Sequence, residues 1–139
     1  MCLAMVFIGV VVGACARNDP ERELRAAVTR MARGIEQHAP ADLLDHLADD
    51  FTRDSDTFGK RDVQRLLAGV LLRNEKISVT AVVTLLSITG DRARTRVRVV
   101  ATGGAGWLPE RGQTWEFDAA WRLEKGKWRV FNAQWQEGI

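Results

Sequence analysis

Leu24, Val28, Met31 and Ile35 recur at steps of three and four residues, the spacing that lines up one apolar face of a helix. Asn18-Asp19-Pro20-Glu21 opens that helix. Asp19 suits the cap, Pro20 the first helical position, and the acids Glu21 and Glu23 complement the helix dipole. The helix is expected to stop near His38, before Ala39-Pro40. A short second helix follows, with Leu43, Leu44 and Leu47 on its buried side and Asp42 and His46 one turn apart on its outside. Phe51 then plugs the core, and Lys60 to Arg73 predicts a third helix that carries Val63, Leu66, Leu67, Val70 and Leu71 on its apolar side.

Beyond Asn74 the period changes from helical to alternating. Ile77 to Ile88 is rich in β-branched residues, Thr89-Gly90-Asp91 is turn chemistry, and Arg92 to Ala101 alternates almost strictly. A glycine-rich stretch, Gly103 to Gly112, leads to a strand over Thr114–Glu124, and Lys125-Gly126 turns the chain into Trp128–Gln136. Three helices followed by four long antiparallel strands predict an α+β domain.

The turns also sort the strand residues into two faces, because pairing across a hairpin is counted from its turn. Counted from Lys125-Gly126, Phe117, Ala119, Trp121 and Leu123 share a face with Trp128, Val130, Asn132 and Gln134. Counted from Gly90, Val82, Leu86 and Ile88 share a face with Ala93, Val97 and Val99. These positions are assigned to the concave side, against the helices. There Asn132 and Gln134 would be amides aimed at an apolar interior, either bonded to loop backbone or lining a pocket. The opposite face would carry Arg92, Arg94, Arg96, Arg98, Arg122 and Arg129 with Glu116 and Asp118, and also Val79, Val83, Leu85, Phe131 and Trp135. The second, apolar group is what a simple solvated face lacks. Aromatic and arginine side chains together suit an interface, so Val83, Leu85, Arg96, Arg98, Phe131 and Trp135 are the candidates for self-association or for a protein partner.

The first fifteen residues stand apart from this pattern. Leu3 to Val12 is almost wholly apolar but shorter than the roughly 20 residues a spanning helix needs. Val12-Gly13-Ala14-Cys15 resembles the bacterial lipobox. That resemblance implies a signal peptide over residues 1–15, cleavage before Cys15, and lipid attachment at Cys15 that holds residues 16–139 on a membrane. Ala16 rather than an aspartate after the cysteine implies the inner leaflet of the outer membrane, facing the periplasm. No Lys or Arg precedes Arg17, so the expected basic start of a signal is missing, and a start codon placed too far downstream would account for it. The two cysteines, Cys2 and Cys15, both lie in this segment, leaving a mature domain with no internal disulfide and no thiolate zinc site. A net charge of +2 over 139 residues does not point to nucleic acid.

Leu47-Ala48-Asp49-Asp50-Phe51 after two helices, Gly90-Asp91-Arg92-Ala93 between strands, and Trp121-Arg122-Leu123 with Gly126-Lys127-Trp128-Arg129-Val130 resemble the nuclear transport factor 2-like superfamily over about residues 20–137. The resemblance implies a strongly curved sheet wrapped around three helices, a cone with a pocket inside. It does not choose among isomerases, dehydratases, binding proteins and adaptors. The ketosteroid isomerases of that superfamily use a carboxylate base with a tyrosine and a protonated acid. Carried over, the base position falls on Ser55 between Asp54 and Asp56, the tyrosine position on Met31, and the acid position on Ala119 beside Asp118. The chain contains no tyrosine, and each role is empty or displaced. Asp42, Asp45, Asp49, Asp50, Asp54 and Asp56 lack the spacing of a calcium loop, and His38 and His46 lack a third ligand. No metal or cofactor is expected. The expected role is therefore a non-enzymatic lipoprotein that binds a protein partner or a small apolar ligand. Trp115, Trp121, Trp128, Met31, Asn132 and Gln134 are the candidate pocket residues. A diverged isomerase or dehydratase, and an inhibitor or immunity-type protein, are the alternatives.

Overall fold

In the computed structural model, residues 19–55, 57–103 and 112–138 are described. Cys15 and the segment before it, Asp56, and most of the glycine-rich stretch lie outside them. Helix α1 runs Pro20–Glu36, with the Asp19 side chain accepting from the Glu21 amide at 3.1 Å as its cap. Leu24, Ala27 and Val28 form its buried stripe. Helix α2 is a single turn, Pro40–Leu44, and α3 spans Lys60–Arg73. The strands are β1 (Leu47–Arg53), β2 (Ile77–Thr89), β3 (Arg92–Gly103), β4 (Gln113–Glu124) and β5 (Lys127–Glu137).

The sheet has five strands in the order β1-β5-β4-β3-β2, and the fold is α+β as expected. The additional strand is β1, which pairs parallel with β5 at one edge. It was hidden because its pairing is long-range and its middle reads Asp49-Asp50, two exposed acids in a strand that buries Leu47, Ala48 and Phe51. His46 belongs to this entry into the sheet rather than to the outside of a helix. With α2 ended at Leu44, His46 turns inward and is buried, and its carbonyl accepts from the Val130 amide at 2.8 Å.

Two β-bulges correct the sorting of the faces. Val83 pairs with Val97 but Leu85 pairs with Arg96, so Thr84 is an extra residue in β2. Ala120 pairs with Asn132 but Trp121 pairs with Val130, so Phe131 is an extra residue in β5. An extra residue reverses the parity of everything beyond it. Counting from the turns holds for Leu86, Ile88, Trp128 and Val130 and fails past each bulge. Val79 and Val83 therefore face the core and Val82 faces outward. Trp135 lies inside, packed on the core with Phe117 at a ring separation of 5.7 Å. Asn132 and Gln134 lie opposite Ala120 and Asp118, on the outer face and not in the apolar interior. Leu85, Arg96, Arg98 and Phe131 stay on the outer face: Leu85 is half-exposed, Arg96 pairs with Asp118 and Arg98 with Glu116, and Phe131 lies beneath Arg92 and Arg122.

The main core cluster is shared by the helices and the concave face and is centred on Leu24, Phe51, Val97, Trp121, Trp128 and Val130, with a smaller second cluster at Ile77, Val79 and Ala101. The far end of β2 is held to α1 by the Glu36 carboxylate, which accepts from the Val79 amide at 3.1 Å. A sheet-edge donor is thereby closed to other chains.

Candidate functional site

The concave face and the helices do not fill the space between them. A cavity of about 430 Å³ lies there, within the roughly 300–1,000 Å³ usual for small-molecule sites. Helix α1 contributes Val28, Met31, Ala32 and Ile35; α3 contributes Val63, Leu66, Leu67 and Val70. The strands contribute mainly aliphatic side chains and five aromatic ones, Phe51, Trp115, Phe117, Trp121 and Trp135. Leu66 and Glu137 line the cavity and are exposed to solvent as well, which places them at its mouth.

Of the expected pocket residues, Met31, Trp115 and Trp121 line the cavity. Trp128 is buried in the core without reaching it. Asn132 and Gln134 do something else. The Asn132 amide donates to the carbonyls of Thr52 and Asp54 at 3.1 and 2.6 Å, and Gln134 donates to the Asp54 carboxylate at 3.1 Å. These bonds tie the end of β1 and the turn after it to the outer side of β5. A lining residue that the sequence reading passed over is Thr95, the one hydroxyl among the inward positions Ala93, Thr95, Val97 and Val99 of β3. It is 2% exposed, and its Oγ1 accepts from the Trp121 indole N–H at 2.8 Å. The alternation of β3 was signal enough to find it.

The positions that an isomerase would use are scattered. Met31 and Ala119 line the cavity but carry no proton-transfer group. Asp54 and Ser55 are exposed, Asp54 with a left-handed φ of 55° in the turn after β1. Asp118 lies on the outer face, 2.8 Å from Arg96. Among the described residues, Thr95 and Glu137 are the polar members of the lining, and no group of three or more His, Cys, Asp or Glu side chains could hold a metal ion.

The ionisable groups with displaced protonation lie off the cavity. Burial lowers the pKa of His46, against the opposing effect of its hydrogen bond to the Asp42 carbonyl. The Arg122 guanidinium, 2.6 Å from Asp50, holds that carboxyl below its ordinary value. Asp118 and Asp50 in turn raise Arg96 and Arg122.

No protein-family model matches the chain, and no curated protein does. Solved structures do. A scytalone dehydratase-like protein of Novosphingobium aromaticivorans superposes with a TM-score of 0.72 at 12% identity, covering 86% of this chain and 84% of that one. The fold is that of the nuclear transport factor 2-like superfamily. A dehydratase-like member of that superfamily from Streptomyces avermitilis reaches a TM-score of 0.69 at 15% identity, over 86% of this chain and 97% of its own. The hexachlorocyclohexane dehydrochlorinase LinA type 2 reaches 0.66 at 12% identity, over 86% and 85%. At such identities the nuclear transport factor 2-like architecture is what is shared, and chemistry has to be argued from the site.

Proposed function

We propose that this chain is a cell-envelope lipoprotein whose domain takes up a small neutral apolar molecule in the cone and performs no reaction on it. The observation that carries the reading is the lining of the cavity: aromatic and aliphatic on every side, with Thr95 and a rim carboxylate as its described polar members. Unfilled apolar space between packed elements forfeits the contacts that larger side chains would make. A sequence selected for stability alone would fill such a space with larger side chains, and this one keeps Ala32, Ala81, Ala101 and Ala119 around it. General acid–base work needs a titratable group within hydrogen-bond reach of the reacting atom, and among the described lining residues the one such group, Glu137, sits at the rim and not in the walls.

The reading is tested with Nile red, a neutral probe whose emission rises in apolar surroundings. The full chain should bind it at one site, and Ala119→Trp, which fills the cavity, should abolish binding with the fold retained by circular dichroism. Saturable binding that is unchanged in Ala119→Trp would place the probe elsewhere and end the proposal. The membrane half of the reading rests on Val12-Gly13-Ala14-Cys15. Palmitate labelling in cells should be lost in Cys15→Ala, with accumulation of the uncleaved form; equal labelling of both would refute it. The names of the neighbours support a second reading, an elimination enzyme with a displaced site. Loss of hydrogen halide from a halogenated cyclohexane that falls in Asp54→Ala would favour it.

A further inference from the structure

We infer that Thr95 is the polar anchor of the cavity, its hydroxyl donating to a hydrogen-bond acceptor of the neutral carbonyl class on the ligand. The inference deepens the reading of the cone as a ligand site and rests on it. Thr95 sits mid-strand in β3, opposite Leu86 on one side and Ala119 on the other, and its side chain points from the concave face into the cavity. A hydroxyl has one proton to give and two lone pairs, whereas an indole N–H can only donate. The 2.8 Å bond from Trp121 therefore has a settled direction, with Thr95 as acceptor, and the hydroxyl proton is left over. Among the described residues that proton has no recorded acceptor, although the residue is 98% buried by its 2% exposure. Trp121 also polarises the hydroxyl, since accepting one bond makes it a better donor for the next. Apart from Glu137 at the rim, the other described lining residues are hydrocarbon or aromatic, so a ligand oxygen that enters the cone finds its donor in Thr95. Such a lone buried donor discriminates well: a ligand without the acceptor leaves it unpaired.

The competing account is that Thr95 serves only to satisfy the Trp121 N–H. The experiment removes that duty first, by using Trp121→Phe as the background. Binding of 9-fluorenone and of fluorene, which share a skeleton and differ in the carbonyl, is measured by calorimetry on the full chain. Wild type and Trp121→Phe should both prefer the ketone, by about tenfold for one net hydrogen bond. Adding Thr95→Val, which keeps the shape and deletes the hydroxyl, should bring the ketone down to the affinity of fluorene and leave fluorene unchanged. Thr95→Ser should restore the preference, which excludes a loss due to misfolding. Equal binding of ketone and hydrocarbon in wild type, or a preference that survives Thr95→Val, overturns the inference while leaving the apolar site intact. Failure of both compounds and of Nile red overturns the inference together with the site.

Discussion

At the scale of single residues, His46 shows most clearly how position along the chain and position in space part company. Its spacing from Asp42 is that of neighbours on a helix surface, and the contact exists: Nδ1 lies 2.7 Å from the Asp42 carbonyl oxygen. A carbonyl only accepts, so Nδ1 holds the proton and the ring is neutral when Nε2 is bare. What the spacing did not disclose is that α2 ends two residues earlier and tips the ring into the protein, where it is 6% exposed. Burial then lowers its pKa below the ordinary 6.5. The unfolded chain takes up this proton at a higher pH than the folded one does. Stability from this group is therefore complete above about pH 6.5 and is lost as pH falls through the depressed folded value. Thermal unfolding followed from pH 7.5 to 5.5 should show a falling Tm, and His46→Gln, which does not titrate, should flatten that slope. A slope identical in the two proteins would mean that the ring is not desolvated. Asp50 works in the same direction but lower, since its carboxyl is held down by Arg122 and contributes only above the carboxylate range.

The elements themselves were legible where their signals are local. Asp19-Pro20 starts α1, Lys60 starts α3, and Lys125-Gly126, with φ of 50° and 80°, makes the tight hairpin turn that its composition announces. The faces of the sheet were legible only as far as the first bulge. Thr84 and Phe131 are ordinary strand residues with no glycine or proline to mark an insertion, and each reverses the side chains beyond it. The apparent amides of the interior, Asn132 and Gln134, and the apparent surface tryptophan, Trp135, are both products of the same uncounted residue. Close approach of elements was equally silent. Gly34 lies where α1 meets the start of α2, and a Cβ there would stand 2.8 Å from the Asp42 Cβ and 2.9 Å from the Ala39 oxygen. Alanine is the better helix former by about 0.8–1.0 kcal/mol, but relieving two such overlaps means moving α2, and overpacking costs about 1–3 kcal/mol. Gly34→Ala should therefore destabilise, by roughly 1–2 kcal/mol net, in urea denaturation. Gly69, in the middle of α3 with open space around it, supplies the control, because Gly69→Ala should stabilise by up to about 1 kcal/mol. Equal signs for the two substitutions would show that α1 and α2 are not locked at this contact.

For the whole molecule, the question raised by the sequence was whether the outer face of the sheet is an interface, and relocating Val83 and Trp135 changes the terms of it. Phe131 remains outside but lies under the guanidiniums of Arg122 and Arg92, at 5.3 and 5.8 Å from the ring centre. Arg96 pairs with Asp118 at 2.8 Å and Glu116 at 3.4 Å, so the middle of the face is occupied by its own ion pairs. Apolar surface survives at one corner, where Val82, Leu85 and Val100 are 54%, 46% and 38% exposed on β2 and β3. A stable interface buries about 800 Å² on each partner, more than three aliphatic side chains supply. Self-association through this face is accordingly proposed as weak, a monomer–dimer equilibrium in which the arginine and acid pairs make up the rest of the contact. Sedimentation of the full chain should show that equilibrium, and Leu85→Lys should move it to monomer with little change in Tm. Trp135→Glu serves as the contrasting variant. It sets a carboxylate against Phe117 and the cavity wall, so it should cost at least about 2 kcal/mol of stability whatever the oligomeric state. Had Trp135 been on the outside, the two substitutions would act alike, dissolving a dimer and sparing the fold. Their predicted divergence is what the bulge at Phe131 implies for the whole molecule: one side chain belongs to the surface, the other to the cone.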